Sequence, residues 1–456
     1  MTRKEFVTAK WVFLPVEVKG RELTTKLFLA LTLVKAGFGV FLGRNGMNIS
    51  RDRFPRGIYF DKCLSTHKVA FHEHQVLQKG NVLVSLDEEG LLFASPEVFC
   101  RDRMNPRSVE LSSAVFLWGQ EEKRAISKIP DPEKFVVTGG PRVDTWRPEF
   151  ASYFAEESNK LIAEYGNFIL IVSNWCFGAH EKAIGREADE VYPDAPWSFV
   201  RKKFYPLIRS IATKFPSELI VVRPHPQALL EVWETLEKDR PFPANVMIKP
   251  GGSITPWIKA SKLVIHNTCT SGIEALVGGI PTVSYTPQEP TGEIYSPYTV
   301  PISSFGQQCF SEHQVIEKVR NLLSNPSGSS LEEPKRRLEQ FLHLDKDKFS
   351  SDLIVEHLRK IDLEEYPYEL TQYSFFKKLR SLGATIKFRV RSLLGLTGMY
   401  TFRYTQSKNP GIKLSEVEEG LEKLSRNFGI SPALLQVKQV DADTFCIYPE
   451  ELKGSN

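Results

Sequence analysis

LVIHNTCTSGIEALVGGIPTVSY, residues 263–285, is the stretch that decides the fold class. Residues 263–265 are apolar and, with His266, form a run of strand length. A polar turn carrying Thr268, Thr270, Ser271 and Gly272 follows, and Ile273-Glu274-Ala275-Leu276 then opens a helix. Gly278-Gly279 ends that helix, and Ile280-Pro281 leads into a second strand-like run at 282–285. Strand, helix and strand in such close succession predict two parallel strands with the helix packed across them.

The same alternation extends through most of the chain. Residues 11–18, 38–42, 57–60, 82–86, 115–118 and 135–138 read as strands, and 22–35 has helical spacing. The pattern pauses over 139–150 and an acidic helix at 155–165. It resumes with strands at 168–172, 219–222, 246–249, 263–266 and 282–285, and a long helix at 197–214. The expectation is an α/β protein with two Rossmann-like domains facing an interdomain cleft, residues 1–150 and 151–335. A helical return segment at 336–370 and a basic extension at 371–456 complete it.

A length of 456 residues exceeds what one core ordinarily serves. Hydrophobic residues at 41% and charged residues at 25% describe a globular chain. Six cysteines are scattered without a CxxC, as expected of free thiols in a reducing cytosol. No run approaches eighteen apolar residues, and the first seventeen are too short of apolar length for a signal peptide. The expected location is cytoplasmic.

Ligands of open α/β sheets bind beyond the carboxyl ends of strands, and unusual polar groups gather there. Thr268, Thr270 and Ser271 with Gly272 open a helix whose dipole and free N–H groups suit a phosphate. A simple Ser/Thr N-cap would explain one of those hydroxyls. In VVRPHPQ, 221–227, Pro224 and Pro226 hold His225 rigidly beyond a strand, beside Arg223. There it could donate to the same phosphate and steady a leaving group, with Arg223 also expected on that phosphate; the alternative is a buried structural histidine. Asp87-Glu88-Glu89 follows the strand at 82–86. Three adjacent carboxylates repel, which predicts a raised pKa for at least one and a general base or nucleophile facing the cleft. The alternative is an acidic first turn of a helix. Ser173, Asn174, Lys249, Gly251 and Glu274 are expected around the nucleotide, Glu274 at its ribose. Arg142 and His266 are expected at the substrate, with pairing to Asp144 the alternative for Arg142. Asp345-Lys346-Asp347 and Asp441-Ala442-Asp443 match a bare DxD by chance. His72 and His74 are expected as surface or cleft polar groups, so no metal or other cofactor is called for.

LDEEG at 86–90, TGGPRVD at 138–144, RPHP at 223–226 and TSGIEALVGGIPTV at 270–283, in that order, resemble the bacterial surface carbohydrate biosynthesis proteins. These are a GT-B-like group related to sialyltransferases and Kdo transferases that use CMP-activated ulosonic acids. The resemblance spans residues 10–320. It implies a metal-independent glycosyltransferase with a CMP-sugar donor and a surface polysaccharide or lipid-linked acceptor. It also implies Glu88 as general base, His225 on the donor phosphate, and Thr270 and Ser271 on that phosphate too. Thr-Ser replaces the family's Ser-Ser, and the acidic motif has an additional carboxylate. GGPRVD with RPHP also resembles the teichoic-acid glycerophosphotransferases, which use CDP-glycerol. A UDP-sugar enzyme or epimerase is a further alternative.

Residues 371–415 carry nine Lys/Arg and no Asp or Glu. Within 373–396 the cations interleave with Leu, Ile and Phe, as suits peripheral contact with the inner face of the cytoplasmic membrane. The aliphatics argue against nucleic acid as the partner; a helix packed back on the core is the alternative.

Overall fold

The computed structural model describes residues 5–44, 54–90, 96–173, 196–225, 233–234, 237–238, 240–267, 269–287, 305–325, 331–370, 374–397 and 402–455. Two sheets organise them. The first contains β1 (Glu5–Val16), β2 (Phe38–Arg44), β3 (Gly57–Asp61), β4 (Val82–Leu86), β5 (Ala114–Leu117) and β6 (Phe135–Val137). They lie in the order β2-β1-β3-β4-β5-β6, all parallel. The second contains β7 (Phe168–Ser173), β8 (Ile220–Arg223), β9 (Val246–Ile248), β10 (Ser261–Asn267), β11 (Thr282–Tyr285) and β12 (Gln307–Cys309). Its order is β12-β11-β10-β7-β8-β9, again parallel. Continuous apolar runs such as Phe168–Val172 are what a strand covered on both faces requires.

Strand order reverses between β1 and β3 in the first sheet and between β7 and β10 in the second. Those two points are where an open parallel sheet offers a crevice. One apolar core crosses the junction: Trp146, Phe150, Tyr153 and Phe154 pack with Ile273, Leu276 and Val277 of the second domain.

The C-terminal region differs from the single extension expected at 371–456. β13 (Tyr366–Glu369) pairs antiparallel with the start of β1. β14 (Leu435–Asp441) and β15 (Thr444–Pro449) form a hairpin that continues the first sheet beyond β2. β16 (Lys453–Ser455) pairs with β1. The helix Leu414–Asn427 buries Val417, Leu421 and Leu424 in the same core as Leu27 and Val34 of helix α1 (Lys19–Lys35). The chain therefore returns to close its own first domain. Of the expected extension, the helix Phe375–Leu393 remains exposed.

Candidate functional site

Helix α1 begins directly after β1 and carries Arg21, Glu22 and Lys26 under the carboxyl ends of the first sheet. Each carboxylate of the loop after β4 meets a cation. Arg103 binds Asp87 in two-pronged fashion, at 2.7 and 2.6 Å. Lys26 Nζ lies 2.7 Å from Glu88 Oε1, with both side chains about 5% exposed or less. Arg21 reaches Glu89 at 3.0 Å. Trp118 Nε1 donates to the Asp87 carbonyl at 2.7 Å. Gly90 must lack a side chain, because a Cβ there would sit 2.5 Å from the Trp118 ring.

This arrangement reverses the pKa expectation for the acidic loop. Burial alone would raise the Glu88 carboxyl; Lys26, Arg21 and Arg142 outweigh it and hold it below the ordinary range. Burial acts the same way on Glu89, and Arg21 and Arg103 bring it down to about 2. Adjacent carboxylates repel, but the cations close by attract Glu88 and Glu89 more strongly.

At the second domain, Arg223 departs from its expected place on a phosphate. Its guanidinium donates to the carbonyls of Lys249 (2.7 Å), Gly251 and Gly252 (3.3 Å) and lies over the Trp257 ring. It shapes the loop at 249–252, while Lys249 itself sits over the Tyr165 ring. His225 is half-buried at the domain junction, within electrostatic reach of Arg21, Glu89 and Lys408. Burial first, and then Arg21, push its pKa down to about 4, so the imidazole is neutral at pH 7 rather than cationic.

His266 is 1% exposed and lies beneath the first turn of the helix Thr270–Val277 rather than in the cleft. A Cβ at Gly272 would approach its ring to 2.4 Å. Among the described residues neither ring nitrogen has a hydrogen-bond partner, and burial lowers its pKa to about 4. Glu274, expected at a ribose, is buried and accepts from the Thr255 hydroxyl; burial raises its pKa. Ser271 stays partly exposed at the same helix start as Thr270. β7 ends at Ser173, in register with Asn267 of β10, which puts its backbone at the crevice of the second sheet. Asn174 and Thr268 lie outside the described residues.

Arg142 joins the two halves. Pro141–Asp144 is one helical turn leading out of β6, and the Arg142 guanidinium points from it into the junction. It lies over the Trp146 ring, 5.3 Å to the centroid. It donates to the Thr270 hydroxyl at 3.2 Å and approaches the Glu88 carbonyl at 3.5 Å. Among the described residues its Nε has no partner and no carboxylate lies within ion-pair distance. Burial and Arg21 lower its pKa to about 10, still charged at neutral pH. Asp144, its expected alternative partner, instead accepts from the backbone N–H groups of Ser350 and Ser351 at 2.8 and 2.9 Å.

His72, expected at the surface or cleft, is buried between Asp61 (2.7 Å) and Ser108 (2.9 Å). Among the described residues no cluster of three His, Cys, Asp or Glu side chains could hold a metal ion. Sequence reasoning missed Arg21, Lys26 and Arg103, the cations that partner the acidic loop. Lys26 did leave a trace: a lysine between Leu23, Leu27 and Ala30, on the helix face that must be buried.

No protein-family model matches the sequence, and no curated protein matches it. Solved structures share its fold. A variant of the wall teichoic acid polymerase TagF, soaked with CDPG, aligns with a TM-score of 0.50 at 9% identity, covering 77% of this chain and 88% of that one. A putative UDP-N-acetylglucosamine 2-epimerase from Listeria monocytogenes gives 0.50 at 14% identity, covering 78% and 98%. The two Rossmann-like sheets of this chain are those of the GT-B fold.

Proposed function

We propose that this chain is a GT-B glycosyltransferase of bacterial surface-polymer assembly. In this reading it moves a Kdo-like or sialic-acid-like ulosonic acid from a CMP-sugar donor to a polysaccharide or lipid-linked acceptor at the inner face of the membrane, without a metal. The observation that carries the reading is Arg142, a buried guanidinium with an unpartnered Nε and no carboxylate in contact among the described residues. Lying between Glu88 and the start of the helix Thr270–Val277, it suits an anionic ligand that presents two acceptor oxygens. The carboxylate of an ulosonic acid and the donor phosphate are both of that kind.

The acceptor hydroxyl oxygen bonds to the anomeric carbon of the donor, whose bond to the phosphate oxygen breaks. CMP departs with that electron pair, and the acceptor proton passes to Glu88. A bound anion would neutralise Arg142 and withdraw one of the charges that depress Glu88, making it a better base. Neutral His225 would donate its ring N–H to the departing phosphate. Thr270 and Ser271 would hold the same phosphate from the helix start.

Alanine at Arg142 or at His225 is expected to lower turnover of a CMP-ulosonic acid about a hundredfold or more, with the melting temperature of His225→Ala near that of the parent. Unchanged turnover in Arg142→Ala removes the basis of the reading. A thermal-shift panel of CMP, CDP, UMP and UDP reports the donor nucleotide. A CDP-glycerol donor is the second reading, favoured by the fold likeness to TagF and by GGPRVD paired with RPHP. Glycerol phosphate has no sugar carboxylate, so Arg142 would then serve the diphosphate alone. Turnover of CDP-glycerol but not of CMP-Kdo would decide for it, and acceptor-free turnover of UDP-N-acetylglucosamine would decide for an epimerase.

A further inference from the structure

We infer that the helix Phe375–Leu393 lies flat on an anionic phospholipid surface and that the segment after it brings the crevice of the first sheet to that surface. The helix has nineteen residues and none of them is acidic. At 100° per residue, Leu379, Leu382, Ile386, Val390 and Leu393 fall within about 80° of one another. All five are 48–80% exposed, and Leu394 and Leu396 continue the stripe at 66% and 62%. Exposed Lys387 and Arg391 flank that stripe on one side, with Lys378 and Arg389 on the other. An apolar strip between two rows of cations matches a bilayer interface, where alkyl groups enter the acyl region and the cations meet lipid phosphates. Among the described residues no helix is long and apolar enough to cross a membrane.

A cavity adds a second observation. Ala384, Lys387, Phe388, Arg391, Leu396 and Thr397 line an open space of about 430 Å3 where the helix meets the turn behind it. The buried Thr397 hydroxyl has no partner there. Two cations and an unpaired hydroxyl on the flank of the stripe suit a lipid headgroup phosphate.

The opposite face of the helix is anchored to the protein. Phe388 packs on Phe402, with ring centroids 6.1 Å apart, and the Ser392 hydroxyl accepts from the Phe402 backbone N–H at 2.7 Å. The helix Phe402–Lys408 then ends at the first sheet's reversal point. Lys408 binds Glu17 at 2.8 Å, Asn409 donates to the Val16 carbonyl at 3.1 Å, and Glu17 also pairs with Lys62 beyond β3. A bilayer under the first helix is thus one short helix away from the crevice between β1 and β3. That the crevice receives a lipid-linked acceptor rests on the function proposed above; the docking itself does not.

The full chain should co-sediment with vesicles of phosphatidylcholine containing about one-third phosphatidylglycerol. Binding should fall about tenfold or more on pure phosphatidylcholine and in high salt. Leu382→Asp/Ile386→Asp and Lys387→Glu/Arg391→Glu should lose it to a similar degree, with circular dichroism and melting temperature unchanged because these side chains are exposed. Equal binding to neutral and anionic vesicles, unimpaired binding by both variants, or tighter binding to duplex DNA or RNA than to vesicles would overturn the inference. Nucleotide-induced thermal shifts should be the same in both variants as in the parent. A missing shift in all three proteins would count against the proposed function and leave the docking result standing.

Discussion

Replacing Lys26 with methionine keeps the length and apolar volume of the side chain and removes its charge, leaving the Glu88 carboxylate buried. The pair is 2.7 Å apart with side chains 4% and 5% exposed, so water cannot take the place of the ammonium. Deleting one partner of such a pair costs about 3–5 kcal/mol. Arg21 and Arg142 still act on Glu88, which points to the lower end, about 3 kcal/mol. The pH dependence carries a sign of its own. In the parent, the folded Glu88 carboxyl is below its ordinary value of 4.5, so its contribution is present above that pH and is lost as pH falls through the lower folded value. In Lys26→Met, burial is opposed less and the folded carboxyl titrates higher. The variant then regains stability relative to the parent as pH drops from 7 towards 5. Urea unfolding of both proteins at pH 7 and pH 5 measures this, and Lys26→Met/Glu88→Gln should recover more than half of the pH 7 loss. A deficit under about 1 kcal/mol that is equal at both pH values would refute the claim that Lys26 holds the acidic loop ionised.

Further expectations concern the second domain. His266, held neutral with a pKa of about 4 against an ordinary 6.5, contributes stability that is fully present above pH 6.5 and lost as pH falls towards 4. The loss is about 3 kcal/mol, and His266→Asn should flatten the urea stability curve over that window by a comparable amount. Gly272→Ala pushes a methyl group into the His266 ring and should cost about 1–3 kcal/mol in a thermal or urea melt. In a His266→Ala background the same change should cost much less, the signature of two sites in contact. Arg223→Ala strips the loop at 249–252 of donors to three carbonyls. It should weaken nucleotide binding in a titration while His225 stays in place, and unaltered affinity would separate that loop from the nucleotide.

Strand bounds at 82–86 and 282–285 were readable because each run is rich in β-branched, aromatic or apolar residues and bounded by turn residues. β1 was not readable in full: it begins at Glu5, six residues before the expected start. Its first residues pair with β13 and β16, more than 350 positions away. Glu5-Phe6-Val7-Thr8 does not alternate strictly and so carries little strand signal until those partners arrive. The hairpin β14–β15 eluded sequence reasoning for the same reason. At the junction, the residue types that gather there were legible as polar groups beyond strand ends. Their partners were not: nothing local to LDEEG announces Lys26, Arg21 or Arg103, and nothing local to RPHP says that Arg223 faces a loop carbonyl.

The sequence by itself determined the α/β class, the two parallel sheets and the placing of GGPRVD, RPHP and TSG at strand ends, because periodicity and turn chemistry act over a few residues. Only the tertiary structure decided the charge state of each group, since a carboxylate's proton affinity depends on burial and on cations brought from distant segments. It alone also returned the C-terminal strands to the first sheet and left one basic helix outside, because pairing and burial are settled between segments that share no local signal.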